Sequence, residues 1–512
     1  MRARRIRHAL GCAGFAVLGG ALVGTAMVAT AGANLRPAIP ASTTNGVGRT
    51  LASDARFYVP PPASGSRQQE MQLLGSGNVQ DAKLIAAMLQ TPQAVWFTGG
   101  TPAQVQQQVS QTMSRAALQR SVPVLVAYNI PGRDCAQYSS GGALNEQAYQ
   151  QWISAFAAGI GQGKAVVILE PDALANLPSD CASGTTAYPF TDTARLTEVS
   201  YAVNALEADP NVGVYLDGGN SAWQSVGTMA QTLVAAGVQN AQGFFLNVSN
   251  YQFTQNSVQY GTWVSDCIAY ATVISPSNYA NCPNQYWNGG PSGDIATLLG
   301  AWNGVALSPY GIWSATTTLS NADLNISGIN VRYAGMLGST IPTTHFVVDT
   351  SRNGVGPNDM SAYAASPYFQ SAATVDALAA ANWCNPPGTG LGTAPTANTG
   401  TPLVDAYLWV KTPGQSDGQC DAAGGVRAWN YNLYNPWNVS TSAQSTFDPL
   451  WGQVDPAAGA WFPAQALQLV KNASPALDTS GIGPLPAFGP FGGPGGPRGP
   501  DNSRSYGGPP AS

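Results

Sequence analysis

Short apolar runs rich in β-branched residues recur along this chain, and between them lie Ala-rich stretches with helical character. The runs are VPVLVAYN from Val122, AVVILEPD from Ala165, VGVYLDGG from Val212, FFLNVSN from Phe244, HFVVDTSRNG from His345 and AYLWVKTPG from Ala406. EQAYQQWISAFAAGI, from Glu146, and DTARLTEVSYAVNALEAD, from Asp192, are two of the helical stretches. Strands buried on both faces and separated by helices predict a parallel sheet, either a barrel or a doubly wound one.

Both ends of the chain break this pattern. Residues 1–33 combine a basic start, a long apolar run and small residues at Ala31-Gly32-Ala33, which reads as a secretory signal, although the run is also long enough for an uncleaved membrane anchor. Residues 34–52 read as a mobile lead-in, and 476–512, dense in Pro and Gly from Gly481 on, as a disordered tail. The block 53–475 has no repeat and no linker, so a single catalytic-sized domain with insertions is expected there.

Outside the leader the chain holds six cysteines, Cys135, Cys181, Cys267, Cys282, Cys384 and Cys420. An even number in an exported protein predicts three disulfides, and the close Cys or His pairs of a zinc site are missing from the sequence. Past the leader His345 is the one histidine, so a three-His metal site is ruled out and only His345 is left as base for a Ser-His-Asp triad. Proton transfer then falls to Asp and Glu. A net charge of −5, with no basic run outside the leader, argues against a nucleic-acid partner. Neither a P-loop nor a Rossmann glycine pattern is present, and no cofactor is implied.

Asp134, Asp172, Asp217, Asp349 and Asp417 each stand at or just beyond the end of an apolar run. Taken singly, such an Asp caps a helix or makes a turn. In a parallel barrel, however, these positions share one rim, where such folds keep their active sites. Two carboxylates in a dry cleft differ in proton affinity, because the ionised one raises the pKa of its neighbour, and such a pair cleaves glycosidic bonds. Trp96, Trp223 and Trp383 fall in loops at strand ends, as lids over the core or as flat surfaces for sugar rings.

YNIPGRDCAQYSSGGA, ILEPDALANL, YLDGGNSAW, FLNVSNY, VDTSRNGVGP, WCNPPGTGLG and LWVKTPGQSDGQCD, in that order between about Phe57 and Asp421, resemble the signature blocks of glycoside hydrolase family 6. These are cellulases that hydrolyse β-1,4-glucan with inversion. The resemblance implies a distorted parallel α/β barrel, TIM-like, with its cleft at the carboxyl ends of the strands. It makes Asp172 the general acid, Asp134 the group that raises the acid's pKa, with Ser140 and Tyr128 as helpers, and Asp417 the candidate base. Asp217 would hold the acceptor side. Lys411, Asn247 and Gln415 would face sugar hydroxyls, and the three tryptophans would stack on either side of the cleavage point. Glu170, next to the acid, reads as a hydrogen-bonding member of the strand-end turn. The family pattern pairs Cys135 with Cys181 and Cys384 with Cys420, leaving Cys267 with Cys282 for a bridge inside an insertion at about 252–343.

Asn220 stands where the family usually has His, Gln415 where a Glu is frequent, and Val226 where some members carry a second acceptor-side Trp. Asn129 and Gly132, replacing two Asp residues of the first block, resemble the open-cleft endoglucanases, so endo action is the first expectation. The long insertion, with Trp263, Trp287, Trp302 and Trp313, favours instead a roofed, cellobiohydrolase-like cleft. An inactive glucan-binding protein and a cell-envelope protein held by its leader are the other readings. The expected partner is a β-1,4-glucan, and the protein is expected to be a secreted monomer, off the membrane unless its leader is retained.

Overall fold

The computed structural model describes residues 51–181, 189–286, 305–315, 322–421 and 427–483. The leader, most of the lead-in, most of the Pro/Gly tail, Trp287 and Trp302 lie outside the described residues.

The first strand, β1 (Val95–Phe97), is too short to stand out as an apolar run, and it places Trp96 within a strand instead of the expected loop. The six expected runs form β2 (Val124–Ala127), β3 (Ala165–Leu169), β4 (Val212–Asp217), β5 (Gly243–Leu246), β6 (His345–Asp349) and β7 (Val404–Leu408). The seven make one parallel sheet in sequential order. β2 to β5 are buried at every position, as a sheet covered on both faces requires. Alternate residues serve two cores. Val126, Ile168, Tyr215, Phe245, Val347 and Leu408 meet in one cluster although they come from six different strands, so the sheet curls around them. Leu125, Val167, Val214, Phe244 and Phe346 face outward into a larger cluster beneath the helices.

This is the expected distorted α/β barrel. β1 and β7 form no ladder among the described residues. Two bonds cross the seam: Ala94 N–H reaches Trp409 O at 2.9 Å, and the Trp96 indole N–H reaches Val410 O at 2.8 Å.

The helices covering the sheet are α1 (Ser66–Gly75), α2 (Val79–Leu89), α3 (Pro102–Leu118), α4 (Glu146–Ile160), α5 (Asp192–Leu206), α6 (Val226–Ala235), α7 (Thr254–Ala269), α8 (Ser327–Leu337), α9 (Ala372–Ala380) and α10 (Pro463–Lys471). Several begin on capping side chains written in the sequence. Thr101 and Gln104 form a capping box with Pro102 in the first turn of α3, and Asn145, Thr191, Ser225 and Ser371 cap α4, α5, α6 and α9. α4 packs through Trp152, Ile153 and Phe156, and truncating Trp152 to Ala would cost about 3–5 kcal/mol.

The long stretch 252–343 proves composite. Its first part is α7, the ordinary crossover helix between β5 and β6, packed against α6 and β6. Only the residues after Ala269 are extra to the barrel pattern. None of the described helices is long and apolar enough to cross a membrane.

Candidate active site

A cleft of about 830 Å³ opens at the carboxyl ends of the strands. Trp96 of β1 enters it beside Tyr128, which follows β2, the two rings edge-on at 5.4 Å. Asp134, Ser139 and Ser140 come from the loop after β2, Asp172 from the turn after β3, and Asn220 and Trp223 from the loop after β4. Trp383, Lys411, Gln415 and Asp417 complete the opposite wall, with Trp383 tilted against Tyr138 at 6.1 Å between ring centres. The structure therefore gathers ten of the expected residues around one cavity, Trp96, Tyr128, Asp134, Ser140, Asp172, Trp223, Trp383, Lys411, Gln415 and Asp417, and Asn220, which replaces the family's usual His, lines it too.

The backbone that carries them is bent. Asp134, Cys135, Glu170, Asp172, Asn247, Ser249 and Asn385 all have positive φ, an uncommon state for residues with a side chain and one that clusters at working sites. The loop after β2 is closed by Ala143 N–H to Asn129 O at 2.8 Å. Gly142 permits this, with φ of 102°, because a Cβ there would run into the carbonyl of Ile130. Arg133 pins the same loop by donating to Thr98 O at 2.6 Å, to Ser139 O at 2.9 Å and to Tyr128 O, while its guanidinium lies 4.6 Å above the Tyr128 ring.

The three candidate carboxylates differ in proton affinity. Burial, with the negative charges of Asp217 and Asp134 added, pushes Asp172 well above the usual carboxylate range. Burial also raises Asp134, to about 6, against the pull of the Ser139 N–H, which it accepts at 2.6 Å, and of Arg133. Asp417 goes the other way. Although buried, it is held at about 2 by Arg352 and Lys411. Arg352 Nη1 contacts both its oxygens at 2.9 and 2.8 Å, Lys411 Nζ lies 3.0 Å from Oδ1, and Asn385 N–H and Tyr251 O–H donate to Oδ2 at 3.0 and 3.2 Å.

Two expected binding residues do not reach the cleft. Asp217 is 1% exposed and accepts the backbone N–H groups of Leu174, Ala175 and Gly219 at 3.0, 2.8 and 3.0 Å, so it fixes the turn that holds Asp172. Asn247 is 0% exposed and bonds to Gln252 N and to Asp349 O. Asp349 is likewise a brace, accepting from Ser351, Val410 and Lys411 N–H. Glu170 takes the N–H groups of Asn129 and Ile130, as expected of a turn residue.

All three disulfides form in the expected pairs. Cys135–Cys181 joins the loop of Asp134 to the segment after Asp172, and Cys384–Cys420 flanks Asp417. Cys420 also approaches Asp448 and Asp455, but its sulfur is bonded to Cys384 and Arg427 forks onto Asp448, which makes this group an ion-paired core. His345 sits at the start of β6, at the other end of the barrel, so it has no part in a triad on this rim.

Sequence reasoning assigned no role to Arg352, Tyr251 or Arg133. Arg352 was visible as the only cation in VDTSRNGVGP, but nothing in the sequence says that it meets a carboxylate sixty-five positions away.

The family described as glycosyl hydrolases family 6 matches residues 52–473. Endoglucanase 1 of Streptomyces sp. (strain KSM-9) is 34% identical over 343 residues, covering 66% of this chain and 68% of that protein. Endoglucanase 1 of Streptomyces halstedii is 30% identical over 381 residues, 73% of this chain and 85% of its own. The solved endoglucanase Cel6 from Mycobacterium tuberculosis, in complex with methyl-cellobiosyl-4-deoxy-4-thio-β-D-cellobioside, aligns with a TM-score of 0.51 and 29% identity over 83% of this chain and 98% of that one. With the barrel, the carboxylate rim and the family match in agreement, the chain belongs to glycosyl hydrolases family 6.

Proposed function

We propose that this protein hydrolyses internal β-1,4-glucosidic linkages of cellulose or a related β-glucan, with inversion, using Asp172 as general acid. The observation that carries the reading is the unequal set of carboxylates on one aromatic-walled cleft. Asp172, whose hold on its proton is strengthened by burial and by the charges of Asp217 and Asp134, donates that proton to the glycosidic oxygen as the bond from the anomeric carbon breaks. A water adds to that carbon from the opposite face and releases a proton to solvent, and Asp172 takes one back from solvent, so one linkage and one water become two chain ends. Asp134, ionised above about pH 6, keeps the acid's proton affinity high and accepts hydrogen bonds near the incoming water.

Asp417 is the expected base. Its five donor contacts leave it little affinity for a proton, since a carboxylate at about 2 is a weak base near neutral pH. We assign it a fixed negative charge facing the positive charge that develops at the anomeric carbon. Trp96, Trp223 and Trp383 supply stacking faces, and Lys411 and Gln415 polar contacts. Export of a leader-bearing chain agrees with three disulfides, which form and persist in oxidising compartments.

The relatives' endoglucanase names support internal cleavage. A second, end-acting reading draws on Pro309 and Tyr310, which bring part of the extra stretch after α7 to the cleft wall. Viscosity of carboxymethylcellulose against reducing ends released separates the two. A steep viscosity drop per end, absent in Asp172→Asn, is expected. Ends released without a viscosity drop would favour the end-acting enzyme, and no hydrolysis by the wild type would leave a binding protein.

A further inference from the structure

Tyr310, with Pro309, reaches the cleft from the stretch after α7, outside the loops that carry Asp134, Asp172 and Asp417. The segment beneath it is rigidly mounted. Trp313 stacks on Trp263 of α7 with ring centres 5.7 Å apart, and its indole N–H donates to Ser308 O at 2.7 Å. Asn256, in the first turn of α7, accepts from Trp313 N–H at 2.9 Å and donates to Gly311 O at 3.0 Å. Gly311 and Trp313 are thus held to a core helix just after Tyr310, and Trp313 in turn holds Ser308 just before it.

The mount is also tied to Trp223. Leu307 N–H donates to Gln285 O at 2.7 Å, the Gln285 side chain donates to Gln224 O at 2.8 Å, and Tyr286 O–H donates to Trp223 O at 2.7 Å. Cys267–Cys282 anchors this strip to α7 just before Gln285. Tyr310 and Trp223 therefore stand at the two ends of one short hydrogen-bonded chain, and both line the cleft.

Tyr310 itself is 40% exposed, and its hydroxyl makes no hydrogen bond within the described residues. A large ring left open on a fixed backbone has lost much of its freedom before any ligand arrives, which favours stacking of a flat apolar face. We infer that Tyr310 is a stacking platform for a glucose ring on the Trp223 side of the cleft, beyond the linkage being cut, and that it sets the preference for longer chains. The inference rests on the β-glucan reading proposed above.

The test is hydrolysis of cellotriose through cellohexaose by wild type, Tyr310→Ala and Tyr310→Phe, with thermal unfolding of each. For Tyr310→Ala, kcat/KM on cellohexaose should fall about tenfold more than on cellotriose, through KM, with Tm preserved. Tyr310→Phe should keep the wild-type length dependence, since the ring face remains. An equal loss at every length, no loss at all, or a Phe variant as impaired as Ala would overturn the platform. Wild type that cleaves none of the oligosaccharides would overturn the β-glucan reading and the platform with it, whereas with a wild type that cleaves them all the length dependence decides on Tyr310 alone.

Discussion

The two ends of the barrel use the same kinds of side chain differently. At the amino end, Tyr215, Gly243 and His345 lie in one register layer across β4, β5 and β6. There Asp405 of β7 accepts from the Tyr215 hydroxyl at 2.7 Å and Gln242 Nε2 at 3.1 Å, and meets His345 Nδ1 at 2.7 Å. Both its oxygens are engaged, and the network ties β4 to β7 across the barrel floor. At the carboxyl end, Asp134 and Asp172 are half-buried beside other carboxylates, and neither forms an ion pair among the described residues. A carboxylate whose partners are complete holds the fold together. One left short of partners keeps its proton more tightly, and that proton is available for chemistry.

Neutralising Asp134 should break the contrast most severely after loss of the acid itself. Asp134→Asn is expected to lower kcat on cellohexaose by about two to three orders of magnitude. The acidic limb near pH 6 in the wild-type kcat profile, where Asp134 loses its charge as pH falls, should vanish, and the alkaline limb set by Asp172 should move to lower pH. A variant with an unchanged acidic limb would show that Asp134 does not govern it.

Arg352→Gln asks whether Asp417 belongs with the completed carboxylates. Removing one partner of a buried pair should cost about 3 kcal/mol in urea unfolding at pH 7. Because the native pKa of Asp417 is depressed, its stabilisation is full above the unfolded carboxylate value and is lost as pH falls toward about 2. In the variant, with the native pKa of Asp417 moved up toward the unfolded value, that loss should be smaller. Unfolding midpoints equal in wild type and variant from pH 3 to 7 would remove Asp417 from the set of structural anions.

The smallest effect belongs to the floor. The bond from Asp405 raises the pKa of His345, so its contribution is full below the unfolded value and declines as pH rises through the folded one. His345→Gln should cost about 1 kcal/mol at pH 5.5 and less at pH 9, with kcat on cellohexaose unchanged at both. A gap that widens with pH would reverse the assignment.

Much of this contrast was legible in the sequence. Strand runs ending in Asp marked the rim, because β-branched burial and the barrel's polarity are local, repeating signals. What the sequence did not separate was Asp217 and Asn247 from Asp134 and Asp172. All four lie at or beyond strand ends, and only the packed structure shows that Asp217 and Asn247 are enclosed among backbone groups while Asp134 and Asp172 line the cleft. The clamp of Arg352 on Asp417 and the tie from Gln285 to Trp223 join residues distant in the chain, and no periodicity reports such meetings. The length of the stretch between β5 and β6 was plain, but the sequence did not divide it into an ordinary crossover helix and the added strip that carries Tyr310.

The central claim is that Asp172 gives its proton to the departing oxygen. Its most direct test compares Asp172→Asn with wild type on cellohexaose and on an aryl cellobioside whose nitrophenolate leaving group needs no proton. A loss of about four orders of magnitude on cellohexaose, with most of the rate kept on the aryl substrate, is the predicted result. Equal losses on both substrates, or a variant that still cleaves cellohexaose at near wild-type rate, would contradict the assignment of Asp172 as the acid.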